Sequence, residues 1–180
     1  MVRGFYIFGE NLANTEPDIR KVEHELASAE FLVVQDIFEN ETTRFAHVVL
    51  PAAAWSENDG TFTNSERRVN RVRTASPAPG EARPNWWIFR EIARRMGHTW
   101  ESDSAKDLWD NEISVLAPNL AGIKYHRIEQ DGLQWPCPTE SHPGTPILHL
   151  EGRFTKGKGS FMPVEWTLAA EVPDDDYPFV

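Results

Sequence analysis

Cysteine is almost missing from this sequence: there is one, Cys137, in 180 residues. A lone thiol excludes a disulfide within the chain and any metal cluster built from its own cysteines. Positive charge is also scarce, with 18 lysines and arginines against 28 acidic residues and a net charge of -10. That balance argues against nucleic acid or a membrane as the main partner, and it means that a bound anion has to be held by local donors. No apolar run reaches membrane-spanning length and the N-terminus has no signal-peptide segment, so a soluble, cytoplasmic chain is expected. What is present is 40% apolar content with seven tryptophans and ten phenylalanines, enough to fill one core.

The chain is organised around the stretch Phe31 to Arg68. It holds two short runs rich in β-branched residues, Phe31 to Val34 and Val48 to Leu50, each of a length that suits a buried strand. The first gives way to Gln35 and Asp36, and the second to Pro51, which lacks a ladder N–H and belongs at a strand end. An earlier run, Gly4 to Phe8, reads as a first strand and leads into Gly9, Glu10 and Asn11. Between these strands Asp18 to Ala29 carries Ile19, Val22, Leu26 and Ala29 at helical spacing, with Pro17 and Asp18 as start signals. Strand, helix, strand predicts a parallel, right-handed βαβ unit, with Gly9 to Asn11 and Gln35–Asp36 at the same edge. In open α/β sheets ligands collect in the crevice beyond the carboxyl ends of the strands.

Gly9 permits a sharp turn or a close approach, and Asn11 offers donors and an acceptor at the strand tip, although the same residues also read as an ordinary strand-to-helix turn. Asp36 is an acceptor-only, two-pronged group that suits a ribose or the N1 and N2 donors of guanine, and equally suits a helical cap. Gln35 points to the opposite side. The polar segment Glu39 to Arg44, which includes Asn40, reads as one or two turns after the strand. Further on, Asn58 precedes the turn signal Asp59–Gly60, and Thr61 to Asn64 alternates like a strand with one buried face. Four arginines fall between Arg67 and Arg73 and read either as a binding site for an anion or as the solvated face of a strand.

Asn85 is a candidate N-cap for a helix from Trp86 to Met96, whose Trp86, Phe89, Ile92, Ala93 and Met96 read as core. A weaker helix spans Ser104 to Leu116, with Leu108, Trp109, Ile113 and Leu116 inward and Asp103 or Ser104 as cap. From Pro118 the periodicity fades into a loop-rich tail, and the terminus Val172 to Val180 ends in a strand-like run that looks cut. The predicted organisation is a Rossmann-like α/β/α domain with a mostly parallel sheet over 1–117, followed by a loop-rich extension over 118–180.

Several long motifs in order resemble one family: GEN at Gly9 to Asn11, VVQDIFENETTRFAHVVLPAAAW at Val33 to Trp55, ENDGTFTNSERRV at Glu57 to Val69, and PGEARPNWWIFREIARRMG at Pro79 to Gly97. With GLQWPCP, PGTP and GKG further on, the chain resembles the molybdopterin oxidoreductases, most of all the alpha subunits of formate dehydrogenases, with assimilatory nitrate reductases close by. The resemblance implies a bis(molybdopterin guanine dinucleotide) cofactor carrying Mo or W, with this chain gripping the guanosine diphosphate arm of one pterin. It implies that Asn11 contacts the diphosphate and that Gln35 and Asp36 form the strand-end pair. Three positions depart from the family pattern: Asn58, where some relatives have a cofactor-contacting Lys; Asn85, where relatives have an Asp that bonds guanine; and Leu12, where Pro is usual. The metal-ligating residue and the cysteines of a 4Fe–4S cluster are expected on an upstream segment, and a barrel domain downstream. The remainder of the catalytic subunit and electron-transfer subunits are the partners implied, and no turnover is expected of this chain alone. A nitrate reductase piece or a stand-alone nucleotide- or partner-binding module are the other readings.

Overall fold

The computed structural model describes residues 3–152, 154, 156–169 and 172–179. They separate into two compact units, Met1–Pro146 and Ile147–Val180. In the first unit β1 (Gly4–Phe8), β2 (Phe31–Asp36) and β3 (Val48–Pro51) form a parallel sheet in the order β1-β2-β3. Between β1 and β2 come a short helix α1 (Leu12–Thr15) and the crossover helix α2 (Ile19–Ala27). Asp18 caps α2, its carboxylate accepting from Lys21 N at 3.4 Å. The register pairs Ile7 with Val34 and Gln35 with Leu50, which brings the carboxyl ends of all three strands to one edge.

Alternation along the strands decides what lies on each face. Leu32 and Val34 of β2 join Ile7 in a core with Ala13 and Leu26, against which Leu12 and Val22 pack. On the other face Tyr6 and Phe8 meet Phe89 of α3 (Asn85–Arg95), with ring centroids 5.7 and 5.3 Å apart. The layers are therefore α1 and α2, then sheet, then α3, as the βαβ pattern predicts. An extended segment fastens α3 to the strand ends: Arg83 N donates to Pro51 O at 3.2 Å and Ala53 N to Arg83 O at 2.8 Å.

A second, antiparallel sheet joins β4 (Gly60–Thr63), β5 (Arg68–Val72) and β6 (Leu133–Gln134). A tight turn makes β4 and β5 a hairpin, with Arg67 N bonded to Asn64 O at 2.9 Å and Asn64 Oδ1 accepting from Glu66 N and Arg68 N. The sheet content is thus divided between parallel and antiparallel strands. Residues 118–146 pack with the first unit: Ile123, Tyr125, Ile128 and the buried Cys137 form a second core with Val69. The boundary expected after 117 falls inside that unit.

Three local expectations differ. The buried aliphatic position of α3 is Ile88, while Met96, which follows the last helical residue as its C-cap, is 71% exposed. The helix expected from Ser104 to Leu116 is broken by a π-helical turn at Leu108–Ile113, and Leu116 is exposed. That turn is held from outside, Asp110 Oδ1 accepting from Tyr125 N at 2.9 Å and Trp109 donating to Ile123 O. Residues 172–179 form no strand, and Val180 lies outside the described residues.

Candidate functional site

The polar tips of β1 and β2 meet at one edge. Gly9 has φ 61, a left-handed conformation that favours glycine, and a Cβ placed there would meet nothing within 4 Å. Its N–H donates to Gln35 O at 2.9 Å, which ties the two strand ends together. Glu10 accepts from Thr15 Oγ1 at 2.7 Å. Asn11 donates from Nδ2 to Glu41 Oε2 at 2.7 Å and accepts at Oδ1 from the buried Thr42 hydroxyl at 2.8 Å. That donor is the main reason why the exposed Glu41 carboxyl sits below the usual carboxylate range, with its own backbone N–H and Arg44 pulling the same way.

Asp36 organises the turn after β2. Its Oδ1 accepts from Ile37 N at 2.7 Å and its Oδ2 from Asn40 Nδ2 at 2.9 Å. Asn40 Oδ1 then accepts from Thr43 N at 3.2 Å. Asp36 thus does part of the capping work that its position allows, and a carboxylate has acceptor capacity beyond these two bonds. Beside it, Glu39, Asn40, Glu41 and Arg44 line an open cavity of about 320 Å³.

Gln35 takes the opposite side, toward α3, and is fully buried. Its Oε1 accepts from the Tyr6 hydroxyl and its Nε2 donates to Asn85 Oδ1 at 2.8 Å. Asn85 is therefore not the cap of α3. It is the first helical residue, Pro84 occupies the cap position, and the Asn85 side chain is drawn to the sheet by a partner 50 residues away in sequence. Asn85, Asn58 and Gly60 line a second cavity of about 330 Å³ with Ile37, Trp55 and Phe62. Asn58 Nδ2 donates to Ala54 O at 2.7 Å.

The nine residues singled out in the sequence thus fall into two adjoining groups. Gly9, Glu10, Asn11, Asp36 and Asn40 form the strand-end edge, and Gln35, Asn58, Gly60 and Asn85 belong to the α3 side. Thr42, Glu41 and Arg44 were not singled out, although they complete the edge; their signal was the polar segment that follows β2. Tyr6 and Trp55 had no signal beyond being aromatic.

The arginines in and beside β5 are committed elsewhere. Arg67 donates to the carbonyls of Trp135, Thr145 and Pro146, Arg71 and Arg73 pair with Glu129, and Arg71 also stacks 4.1 Å over the Tyr125 ring. They act as internal cross-links to the segment 125–146, Arg68 likewise donates to Glu66 Oε1 at 3.0 Å and to Asp131 O at 3.2 Å, and none of the four is a free phosphate fork.

Residues 1–95 match the family model described as molybdopterin oxidoreductase. The chain is similar to the F420-dependent formate dehydrogenase subunit alpha of Methanocaldococcus jannaschii, 47% identical over 99% of this chain and 27% of that protein. It is 49% identical to the F420-dependent formate dehydrogenase 2 subunit alpha of Methanococcus maripaludis, again over 99% of this chain and 27% of the relative. A putative formate dehydrogenase of Bacillus subtilis is 38% identical over 97% of this chain and 18% of its own length. The chain therefore spans about a quarter of the length of the first two curated relatives. Among solved structures, acetylene hydratase from Pelobacter acetylenicus shares the fold at a TM-score of 0.58 and 21% identity, over 71% of this chain and 18% of that one.

Proposed function

The chain belongs to the molybdopterin oxidoreductase family, and we propose that it is the part of a formate dehydrogenase catalytic subunit that holds the guanosine diphosphate arm of a bis(molybdopterin guanine dinucleotide). The family implies a molybdopterin cofactor; the guanine dinucleotide form, a Mo or W centre and a 4Fe–4S cluster elsewhere in the subunit belong to the proposal. The observation that carries it is the shared edge of β1 and β2, with Gly9, Asn11 and Asp36 at the tips, beside a cavity lined by Asn58, Gly60 and Asn85. The residues fit the arm: an open left-handed glycine allows backbone approach, and the amides and Asp36 provide donors and acceptors of the kind a nucleotide needs.

When bound, the cofactor would supply the two-electron oxidation of formate to carbon dioxide, and the protein would contribute placement and electrostatics. In this reading Gly9 and Asn11 border the diphosphate, Asp36 accepts from the guanosine portion, and Asn58 and Asn85 stand at the base. Asn40 keeps Asp36 oriented through its 2.9 Å bond. Electron-transfer subunits and a cytoplasmic setting, which suits a single buried thiol, complete the proposal.

Titration of the chain with GDP and with NAD tests it. GDP is expected to bind more tightly, and Asp36→Ala to weaken GDP by about tenfold, the scale of one hydrogen bond to a charged acceptor. A preference for NAD, or GDP binding that ignores Asp36→Ala, would overturn the assignment.

A further inference from the structure

Independently of the nucleotide reading, the outer side of β1 calls for a partner. Among the described residues β1 pairs with β2 alone, so it stands at one edge of the parallel sheet. Arg3 O accepts from Phe31 N at 3.3 Å and Gly9 N donates to Gln35 O at 2.9 Å, so the backbone of residues 3 and 9 faces β2. That direction alternates residue by residue along a parallel ladder. Phe5 and Ile7 therefore face β2 as well, and Gly4, Tyr6 and Phe8 turn their N–H and C=O groups outward.

The side chains of β1 are those of an inner strand. Phe5, on the face of Ile7, is 43% exposed, and on the opposite face Tyr6 and Phe8 are 40% and 48% exposed although both rings meet that of Phe89. Apolar residues on both faces are the pattern of the interior of a parallel sheet. Natural edge strands are blunted by lysine, proline, a bulge or a covering loop. Gly4–Phe8 holds no charged residue and no proline, and its register with β2 runs unbroken. The opposite edge is managed differently: Arg83 lies parallel against the residue after β3, and its N–H donates to Pro51 O at 3.2 Å.

We infer that a further β-strand of the same subunit, from the polypeptide outside these 180 residues, pairs with the outer side of β1. Length points to this occupant, since the chain spans 27% of each of the first two relatives and most of such a subunit lies outside it. The incoming strand accepts from the Tyr6 and Phe8 N–H groups and donates to the outward carbonyls. It is apolar on both faces, one side chain set packing beside Phe5 and the other beside Tyr6 and Phe8, as neighbouring strands pair across a sheet. Pairing of this kind covers the three exposed rings. It also holds from outside the strand whose tip leads into Gly9 and Asn11.

Hydrogen exchange resolved to single amides, in the full-length subunit that contains this chain, tests the pairing. The outward amides of Tyr6 and Phe8 are expected to exchange about a hundredfold or more slower than unprotected amides, as those of an inner strand do. Exchange at the unprotected rate would overturn the proposal. Protection that appears only in a self-associated subunit and disappears on dilution would overturn it too, and would assign the edge to a second copy. Two substitutions separate a bonded N–H from one that is merely covered. Phe8→Ala removes the ring and keeps the N–H, whereas Phe8→Pro removes both, and proline is tolerated on a strand where the N–H side faces solvent. In the full-length subunit the proline variant is expected to melt about 2 °C or more below the alanine variant; matching melting temperatures would mean that no strand pairs there. None of these outcomes touches the GDP titration, so the nucleotide reading stands or falls separately.

Discussion

At the tip of β1 the side chain of Asn11 reaches across to the segment after β2, donating to Glu41 and accepting from Thr42. The donor favours the charged form of Glu41, so the folded carboxyl titrates below its unfolded value. A depressed carboxylate contributes stability that is present above the unfolded carboxylate range and is lost as pH falls through the folded pKa. Replacing Asn11 by Ala removes the leading cause and leaves the backbone N–H and Arg44. The Glu41 carboxyl in Asn11→Ala is therefore expected to titrate higher than in the wild type, followed by the side-chain carboxyl resonance in an NMR pH series. Identical titration curves would mean that Asn11 does not hold the edge in solution. Asp36 lies at the same edge, but its two bonds come from Ile37 and Asn40, so its turn is expected to survive loss of Asn11.

At the scale of elements, β2 is the strand on which both layers depend. It lies between β1 and β3, buries Leu32 and Val34 fully against the α1–α2 layer, and buries Gln35 on the α3 side. Truncating Leu32 to Ala is expected to cost about 2–5 kcal/mol, since a fully buried leucine loses both its transfer free energy and the contacts around the void. Urea unfolding should show this as a lower midpoint at unchanged slope. A loss below about 1 kcal/mol would mean that the α1–α2 layer collapses onto the space, contrary to a close-packed core. The strand was legible in the sequence because β-branched runs ending at Gln35 and at Pro51 carry their own signal, and the crossover helix was legible from Asp18 and the spacing of Val22 and Leu26. The partner of Asn85 was not. A cap is a local pattern, whereas the bond from Gln35 spans 50 positions and exists only once α3 lies on the sheet. The same reason explains the π-helical turn at Leu108–Ile113, which is tied to Ile123 and Tyr125. Chain composition could not separate an anion site from a set of cross-links in the arginines from Arg67 to Arg73; the carbonyls and Glu129 that occupy them decide it.

For the whole molecule, the net charge of -10 bears on the nucleotide reading. A guanosine diphosphate is itself an anion, so the overall field opposes its approach, and attraction has to come from short-range donors. Arg44 is the cation among the residues lining the cavity beside Asp36, and Glu39 and Glu41 share that cavity. Salt screens the long-range repulsion over a Debye length of about 10 Å at 0.1 M, but acts little on hydrogen bonds made at contact. GDP affinity is therefore expected to hold steady or to tighten as ionic strength is raised from about 0.05 to about 0.3 M, with any change below about threefold. Repeating the GDP titration across that range measures it. Weakening by tenfold or more would mean that a cluster of cations does the holding. Arg67, Arg68, Arg71 and Arg73 would then have to leave Glu66, Glu129, the carbonyls and the Tyr125 ring to provide it, and the shared edge of β1 and β2 would lose its claim to the ligand.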